Sequence, residues 1–195
     1  LISRFLGANE HKKASHCCAF CIWTTTVSAF LYGIFMLLFR PVLMPVLGAN
    51  EETLPLASSY LFWTIGIGAV PTVLNPALAH LIRAEGYSKQ ASFGVAFGGV
   101  LNILLDPLFI YGLRLQITGA AIATLISNTI ALLYFLHFIW KIRATSVLTL
   151  SPRMYRITDH IPSEVLSIGL PSFLISMMGT VSTTVLNHII AGYSN

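Results

Sequence analysis

Five long apolar runs, separated by short polar connectors, dominate the chain. A helix needs about 20 mostly apolar residues to cross a bilayer, and each run is close to that length or longer. Residues 1–7 resemble the end of a further span, so we expect the sequence to be a piece of a longer chain. The predicted spans are 17–39 (with an apolar continuation over 41–47), 56–82, 88–112, 117–140 and 165–190.

The composition supports this pattern. Of the 195 residues, 55% are hydrophobic and 9% are charged, and the mean hydropathy is +0.78. A soluble domain carries about 25% charged residues, so the sequence predicts an all-α, polytopic membrane protein. It contains no nucleophile elbow, zinc-protease helix motif or phosphate-binding loop. We therefore predict a protein that is not an enzyme and needs no cofactor.

The basic residues predict the orientation in the membrane. Short cytoplasmic loops are enriched in Lys and Arg, and successive connectors of this chain alternate between many and few of these basic residues. Arg40 and Arg114 lie in the connectors that have few basic residues. The excess positive charge is thus a topology signal and not the mark of a nucleic-acid partner, and we expect a multi-pass protein of the cell membrane. Nine of the eleven basic residues share the predicted cytoplasmic side: Arg4, Lys12, Lys13, Arg83, Lys89, Lys141, Arg143, Arg153 and Arg156.

Two further features concern helix ends and thiols. LGAN occurs at 6–9 and at 47–50. Because Gly suits the left-handed position after a helix and Asn is a favoured N-cap, both copies are interpreted as helix boundaries. Glu51 and Glu52 would then sit at the positive end of the next helix. The three cysteines that open the first span, at 17, 18 and 21, lack a second ligand pair nearby. They are interpreted as structural thiols, with a metal site as the alternative.

The acidic residue placed deepest in a span is Asp106, within LNILLDPLFIYG at 101–112. An aspartate at the centre of a membrane helix costs about 2.5–3.5 kcal/mol on insertion scales, and such a residue is by default a functional candidate. Asn102 shares its helix face, and Pro107 leaves the carbonyl of Ile103 without its helical partner. Carboxylate, amide and carbonyl oxygens suit a small hard cation such as sodium, or a proton relay.

The next span brings a hydroxyl to the same depth. Asp106 lies about 9 Å below the turn at Gly112, and Thr124 lies about 10 Å below Ile117, at 1.5 Å per residue. The small residues between 119 and 123 would allow the two helices to approach closely. The alternative interpretation is a structural Asp106, kept neutral or hydrogen-bonded to fasten this hairpin.

The second span contains Pro71, Asn75 and Pro76. The two prolines are expected to free the carbonyls of Ile67 and Thr72. Broken helices near the midplane are typical of binding regions in transporters, but membrane helices also tolerate proline as a simple kink. Both interpretations remain open.

Several stretches resemble one family of transporters in order and spacing. They are SRFLGANEHKKA at 3–14, RAEGYSKQAS at 83–92, LNILLDPLFIYG at 101–112, GAAIAT at 119–124 and IGLPSFL at 168–174. Together they resemble the multidrug and toxic compound extrusion (MATE) transporters, whose twelve helices form two six-helix lobes. The resemblance implies a partial N-terminal lobe over 1–140, with the end of helix two and helices three to six. A cytoplasmic inter-lobe loop would cover 141–163, and helix seven of the C-terminal lobe would cover 164–195.

The resemblance also assigns roles to residues. The family's N-lobe cation site uses an Asn and an Asp on helix five and a Thr on helix six, which fall on Asn102, Asp106 and Thr124. Asn75 is a weaker candidate, since it lies one turn before the place where a helix-four Asn is often found. The stretch SFLISMMGTVS at 172–182 lacks the acid that NorM-type members carry in helix seven, which makes the chain more DinF-like.

The activity implied is secondary-active efflux of cationic or amphipathic drug-like compounds in exchange for protons or sodium. The protein would lie in the lipid bilayer, and it is expected to be a monomer. The one possible metal would be a sodium ion at Asp106. Two alternatives remain open. One is a flippase for lipid-linked precursors or oligosaccharides from the same superfamily, and the other is a non-transporting membrane protein.

Overall fold

The computed structural model describes residues 1–46, 53–156 and 160–193, and every regular element within them is helical. Shorter helical segments are π-helical at Phe62–Ile67 and Leu108–Gly112 and 3-10 at Pro152–Met154. The α-helices are α1 Ile2–Gly7, α2 His11–Leu38, α3 Arg40–Val46, α4 Leu54–Leu61, α5 Ala69–Ala84, α6 Ser88–Pro107, α7 Gln116–Ile142 and α8 Ile161–Tyr193.

The structure confirms the predicted apolar spans as helices. Four helical segments are long and apolar enough to cross a membrane: His11–Leu38, Ser88–Gly112, Gln116–Ile142 and Ile161–Thr183. The second predicted span is a bent pair, Leu54–Ile67 followed by Ala69–Ala84, with 55° between its halves. The first span starts earlier than predicted, since the polar residues from His11 to His16 continue the helix outside the apolar run.

The break in the bent pair lies at Gly68 and not within the proline-containing helix. The Gly68 N–H donates to the Trp63 carbonyl at 3.0 Å, an i to i−5 bond that closes the π-helical segment. Pro71 then occupies the first turn of α5, where a missing N–H costs no helical hydrogen bond. Pro76 lies inside α5, which continues through it to Ala84. The second span is therefore bent near its prolines, with the break at Gly68, three residues before Pro71; whether it belongs to a binding region stays open.

The α6–α7 hairpin packs through small residues, as predicted. A Cβ on Gly119 would lie 2.7 Å from the backbone carbonyl of Phe109, and one on Gly98 would lie 3.0 Å from the Ala131 Cβ. Ala121 and Ala123 are fully buried. The largest buried side chains belong to α5 and α7 and include Leu78, Ile82, Phe135 and Ile139.

Connectors predicted to be cytoplasmic meet at one end of these helices. Ser3 Oγ in α1 donates to the carbonyl of Ala84 at the end of α5 at 3.0 Å. Glu85, just after α5, accepts from the Val147 N–H at 2.8 Å, in the segment after α7. Gly86 adopts φ +100°, the left-handed helix ending that glycine favours. The gathering of these connectors agrees with the charge count, which placed them on one side of the membrane.

The helix ending predicted at the first LGAN is wrong in detail. Asn9 adopts φ 61°, so asparagine and not Gly7 takes the left-handed position. Asparagine tolerates that conformation better than most residues. The N-cap of α2 is Glu10, and Asn9 Oδ1 instead lies 2.8 Å from His11 Nε2. The second LGAN, together with Glu51 and Glu52, lies outside the described residues.

The chain divides into two compact units, one spanning residues 2–156 and the other containing α8. The segment after α7 belongs to the first unit up to Arg156, and Val147 and Leu148 within it are buried. All three cysteines are free thiols: Cys17 and Cys18 are buried and Cys21 is half-buried. The lobe boundaries at 140 and 163 remain predictions.

Candidate functional site

Three predicted site residues meet between α6 and α7. Asn102 Nδ2 donates to Asp106 Oδ1 at 3.3 Å and to Thr124 Oγ1 at 3.4 Å. The structure thus brings a carboxylate, an amide and a hydroxyl together from two helices, at the depth that the residue count predicted. We refer to Asn102, Asp106 and Thr124 as the polar triad.

The backbone explains how the triad is assembled. Asn102 and Asp106 are four residues apart on α6, so they share one face. That face is the packed one, since both side chains are half-buried whereas Ile103 and Leu104 are 70% and 64% exposed. Thr124 reaches the same place from α7 because Gly119, five residues earlier, allows the two backbones to approach closely.

Pro107 changes the hydrogen bonding directly after the triad. Helix α6 ends at Pro107, and the segment Leu108–Gly112 is π-helical. The Leu113 N–H donates to the Leu108 carbonyl at 3.0 Å, again an i to i−5 bond. Such π-helical segments commonly occur at functional positions in helices. The unpaired Ile103 carbonyl stays a prediction.

The donor set of the triad suits a hard cation. Carboxylate, amide and hydroxyl oxygens are ligands for sodium-like ions, and the carboxylate alone can carry a proton. Asn102 presents its Nδ2 to the other two side chains. For all three side chains to coordinate a cation through oxygen, the amide would have to turn by about 180° and present Oδ1, an orientation that hydrogen bonding decides. Within the described residues, no cluster of three or more His, Cys, Asp or Glu side chains has the geometry of a metal site.

Asn75 belongs to a neighbouring polar contact. Its Nδ2 donates to the backbone carbonyl of Asn128 at 2.8 Å, and Asn128 Nδ2 donates to Thr72 Oγ1 at 3.2 Å. Asn128 is one turn beyond Thr124 on α7, so Asn75 bonds beside the triad and not within it. The Asn75 side chain is 9% exposed, and its Oδ1 is buried without a partner.

Sequence reasoning missed the role of α7 in collecting polar groups from several helices. Thr118 Oγ1 lies 2.9 Å from Ser59 Oγ of α4, Thr124 bonds α6 and Asn128 bonds α5. The spacing of these α7 residues, six and four apart, was the available signal. Polar contacts of this kind between helices help to fix their relative positions where apolar packing alone is permissive.

Apolar spans of membrane length define a multi-pass membrane protein, and a bent helix and a polar triad between two spans are features common in transporters. The profile of the MatE family matches residues 1–108. The chain therefore belongs to the MatE family and is a multi-pass protein of the cell membrane.

Relatives and solved structures agree. The chain is 33% identical over 194 residues to the multidrug export protein MepA of Staphylococcus saprophyticus, and 32% identical to MepA of Staphylococcus aureus strain NCTC 8325. All of this chain matches, but it spans 42% of the length of each relative. An inward-facing structure of a multidrug resistance MATE family transporter matches 88% of this chain, and the match covers 38% of the transporter's chain, at 29% identity and a TM-score of 0.81. The MATE-type fold is thus confirmed, and the DinF-like assignment remains a prediction.

Proposed function

We propose that the full-length protein is a secondary-active multidrug efflux antiporter, and not an enzyme. It would export cationic or amphipathic compounds in exchange for protons or sodium, working as a monomer in the cell membrane. The polar triad carries the proposal, because Asp106, Asn102 and Thr124 lie within hydrogen-bonding distance inside predicted spans. The names of the MepA relatives support the export of drugs.

The coupling we propose follows from charge. A cation or proton on Asp106 removes a net charge that costs about 2.5–3.5 kcal/mol at the centre of a membrane helix. Binding in one conformation and not the other biases the equilibrium between them. Since Asn102 links Asp106 to Thr124, a change in the charge of the Asp106 carboxylate would alter contacts of both α6 and α7.

Comparison with two states of a relative fits this mechanism. The outward-facing structure of a multidrug resistance MATE family transporter matches the chain with a TM-score of 0.81 over 89% of its residues, equal to the score for the inward-facing one. Because both conformations are known for this family of transporters, an equilibrium between them is what we propose cation binding to bias.

The proposal is tested with the full-length protein in cells and in vesicles. Asp106→Asn is expected to abolish cation-driven efflux of a fluorescent dye while membrane expression stays normal. Glu10→Gln is a matched control, because Glu10 is at the helix end and pairs with Lys13 at 2.9 Å. Undiminished efflux by Asp106→Asn would refute the proposal.

The driving ion is identified by imposing a sodium gradient or a pH gradient alone. A sodium gradient without a pH gradient that drives dye efflux identifies sodium, and the reverse identifies protons. Transport of a lipid-linked precursor with no dye efflux under either gradient would favour the flippase alternative. No transport of either substrate would favour a non-transporting protein.

A further inference from the structure

A cavity lies at the predicted cytoplasmic end of the first unit, separate from the polar triad. Its volume is about 450 Å³, within the range of small-ligand sites. One wall is the first turn and a half of α2, from His11 to His16. The other wall is the segment 144–156 that follows α7. We refer to this space as the cytoplasmic cavity.

The lining of the cytoplasmic cavity is basic. Lys12 and Arg156 contribute two formal positive charges from opposite walls, and His11 and His16 contribute imidazoles. Ser15 and Thr145 add hydroxyls, and none of the described lining residues is acidic. Two cations held on opposite sides of one cavity attract an anion between them.

The two acidic residues nearby, Glu10 and Glu85, are both hydrogen-bonded, and Glu85 bonds two residues of the cavity wall. Glu10 Oε1 pairs with Lys13 Nζ at 2.9 Å, and both side chains are exposed. Glu85 accepts hydrogen bonds from Ser146 Oγ and the Val147 N–H. Neither carboxylate is among the lining residues. Glu85 lies behind the wall and is shared between Ser146 and Val147, so Lys12 and Arg156 are the charged groups that face the space itself.

The backbone adds to the same preference. The first amides of a helix have no intrahelical partner, and the helix dipole places partial positive charge there. The N-cap Glu10 makes no side-chain hydrogen bond to those amides. His16 uses Nδ1 to bond the Met154 carbonyl at 2.9 Å, which leaves Nε2 as the other polar atom of its ring. Cations, hydroxyls and a helix N-terminus together are typical of phosphate recognition.

We propose that the cytoplasmic cavity binds a phosphate-bearing anion, bridging α2 and the segment 144–156. The bound group is either the headgroup of an anionic phospholipid of the cytoplasmic leaflet or a free phosphate. By joining Lys12 to Arg156, it holds the last part of the segment after α7 against α2. This role is independent of cation coupling at the polar triad.

The test uses the full-length protein and two matched double variants. Lys12→Gln with Arg156→Gln removes both cavity cations. Lys89→Gln with Lys141→Gln removes two exposed basic residues on the same predicted side, outside the cavity. Each protein is placed in phosphatidylcholine vesicles, and the thermal unfolding midpoint is followed as phosphatidylglycerol or inorganic phosphate is added.

We expect saturable stabilisation of the wild type by at least one of these additions. The cavity variant should need roughly tenfold more of the addition, since each basic residue contributes substantially to anionic-lipid binding. The control variant should stay close to wild type. A response to phosphatidylglycerol alone identifies a headgroup, and a response to inorganic phosphate identifies a free anion.

Three outcomes would overturn the proposal. They are no stabilisation of the wild type, equal losses in the cavity and control variants, and no loss in the cavity variant. Lys12→Arg with Arg156→Lys guards against a folding defect. That variant keeps both charges, so it should retain binding if charge and not local structure is responsible.

Discussion

We predict that the close contact at Gly119 is needed for the polar triad to form. A Cβ at this position would lie 2.7 Å from the carbonyl carbon and oxygen of Phe109, whereas ordinary van der Waals contact begins at 3.4 Å. Gly119→Ala therefore requires α7 and the π-helical segment that follows α6 to separate by about 0.7 Å, and the obstacle is backbone that cannot rotate away. Overpacking of this kind costs about 1–3 kcal/mol.

The same displacement reaches the triad. The Asn102 Nδ2 to Thr124 Oγ1 distance is 3.4 Å, at the long end of a hydrogen bond. Adding about 0.7 Å takes it past 4 Å, where that bond is lost. Gly119→Ala is thus expected both to destabilise the hairpin and to weaken any cation response that depends on Thr124.

Gly99→Ala provides the matched control. Gly99 is also inside a helix of the hairpin, and its Cβ would meet nothing within 4 Å. Alanine in a helix is favoured over glycine by about 0.5–1 kcal/mol, so this variant should equal or exceed the wild type in stability. Thermal unfolding of the purified full-length proteins, with and without sodium and at several pH values, compares the two. Equal midpoints for the two variants would refute the packing argument.

Three further predictions address other parts of the structure. Glu85→Ala should leave the buried Val147 N–H without its acceptor, at a local cost of about 1–3 kcal/mol, and should speed tryptic cleavage of the segment after α7. Glu85→Gln keeps an acceptor and should be cleaved at the wild-type rate, so equal cleavage rates for the two variants would contradict a stabilising role of this hydrogen bond. Asn75→Ala should lower stability by about 1 kcal/mol, the net value of one hydrogen bond, while cation affinity is unchanged; reduced affinity would place this residue in the cation site. In a variant without native cysteines, Arg114→Cys should react with an impermeant maleimide on intact cells and Arg143→Cys only after permeabilisation, and the opposite result would reverse the topology.

The sequence was sufficient for the helices and for the triad because both depend on regular spacing. Apolar runs of membrane length predicted the spans, and the four-residue spacing of Asn102 and Asp106 placed them on one face. Counting from the short turn then put Thr124 at the same depth. These inferences needed only helical rise and the order of the elements.

Other features depended on local competition that spacing does not reveal. The bend at Gly68 and the π-helical segment after Pro107 both lie close to a proline, which has no N–H to donate to a helical hydrogen bond. Spacing does not show which carbonyls the remaining N–H groups then bond. Asn9 took the left-handed position beside a nearby glycine, because asparagine tolerates it and its side chain lies against His11. The hydrogen-bond partner of Asn75 is a backbone carbonyl of another helix, and no sequence motif predicts such a partner.

The proposed coupling mechanism depends most directly on whether Asp106 holds the coupling cation. Equilibrium binding of radioactive sodium, together with proton release followed by a pH indicator, should be measured on the purified full-length protein. We predict that one of the two signals is present in the wild type and in Glu10→Gln, and absent in Asp106→Asn. Cation binding by Asp106→Asn with wild-type affinity would contradict the account.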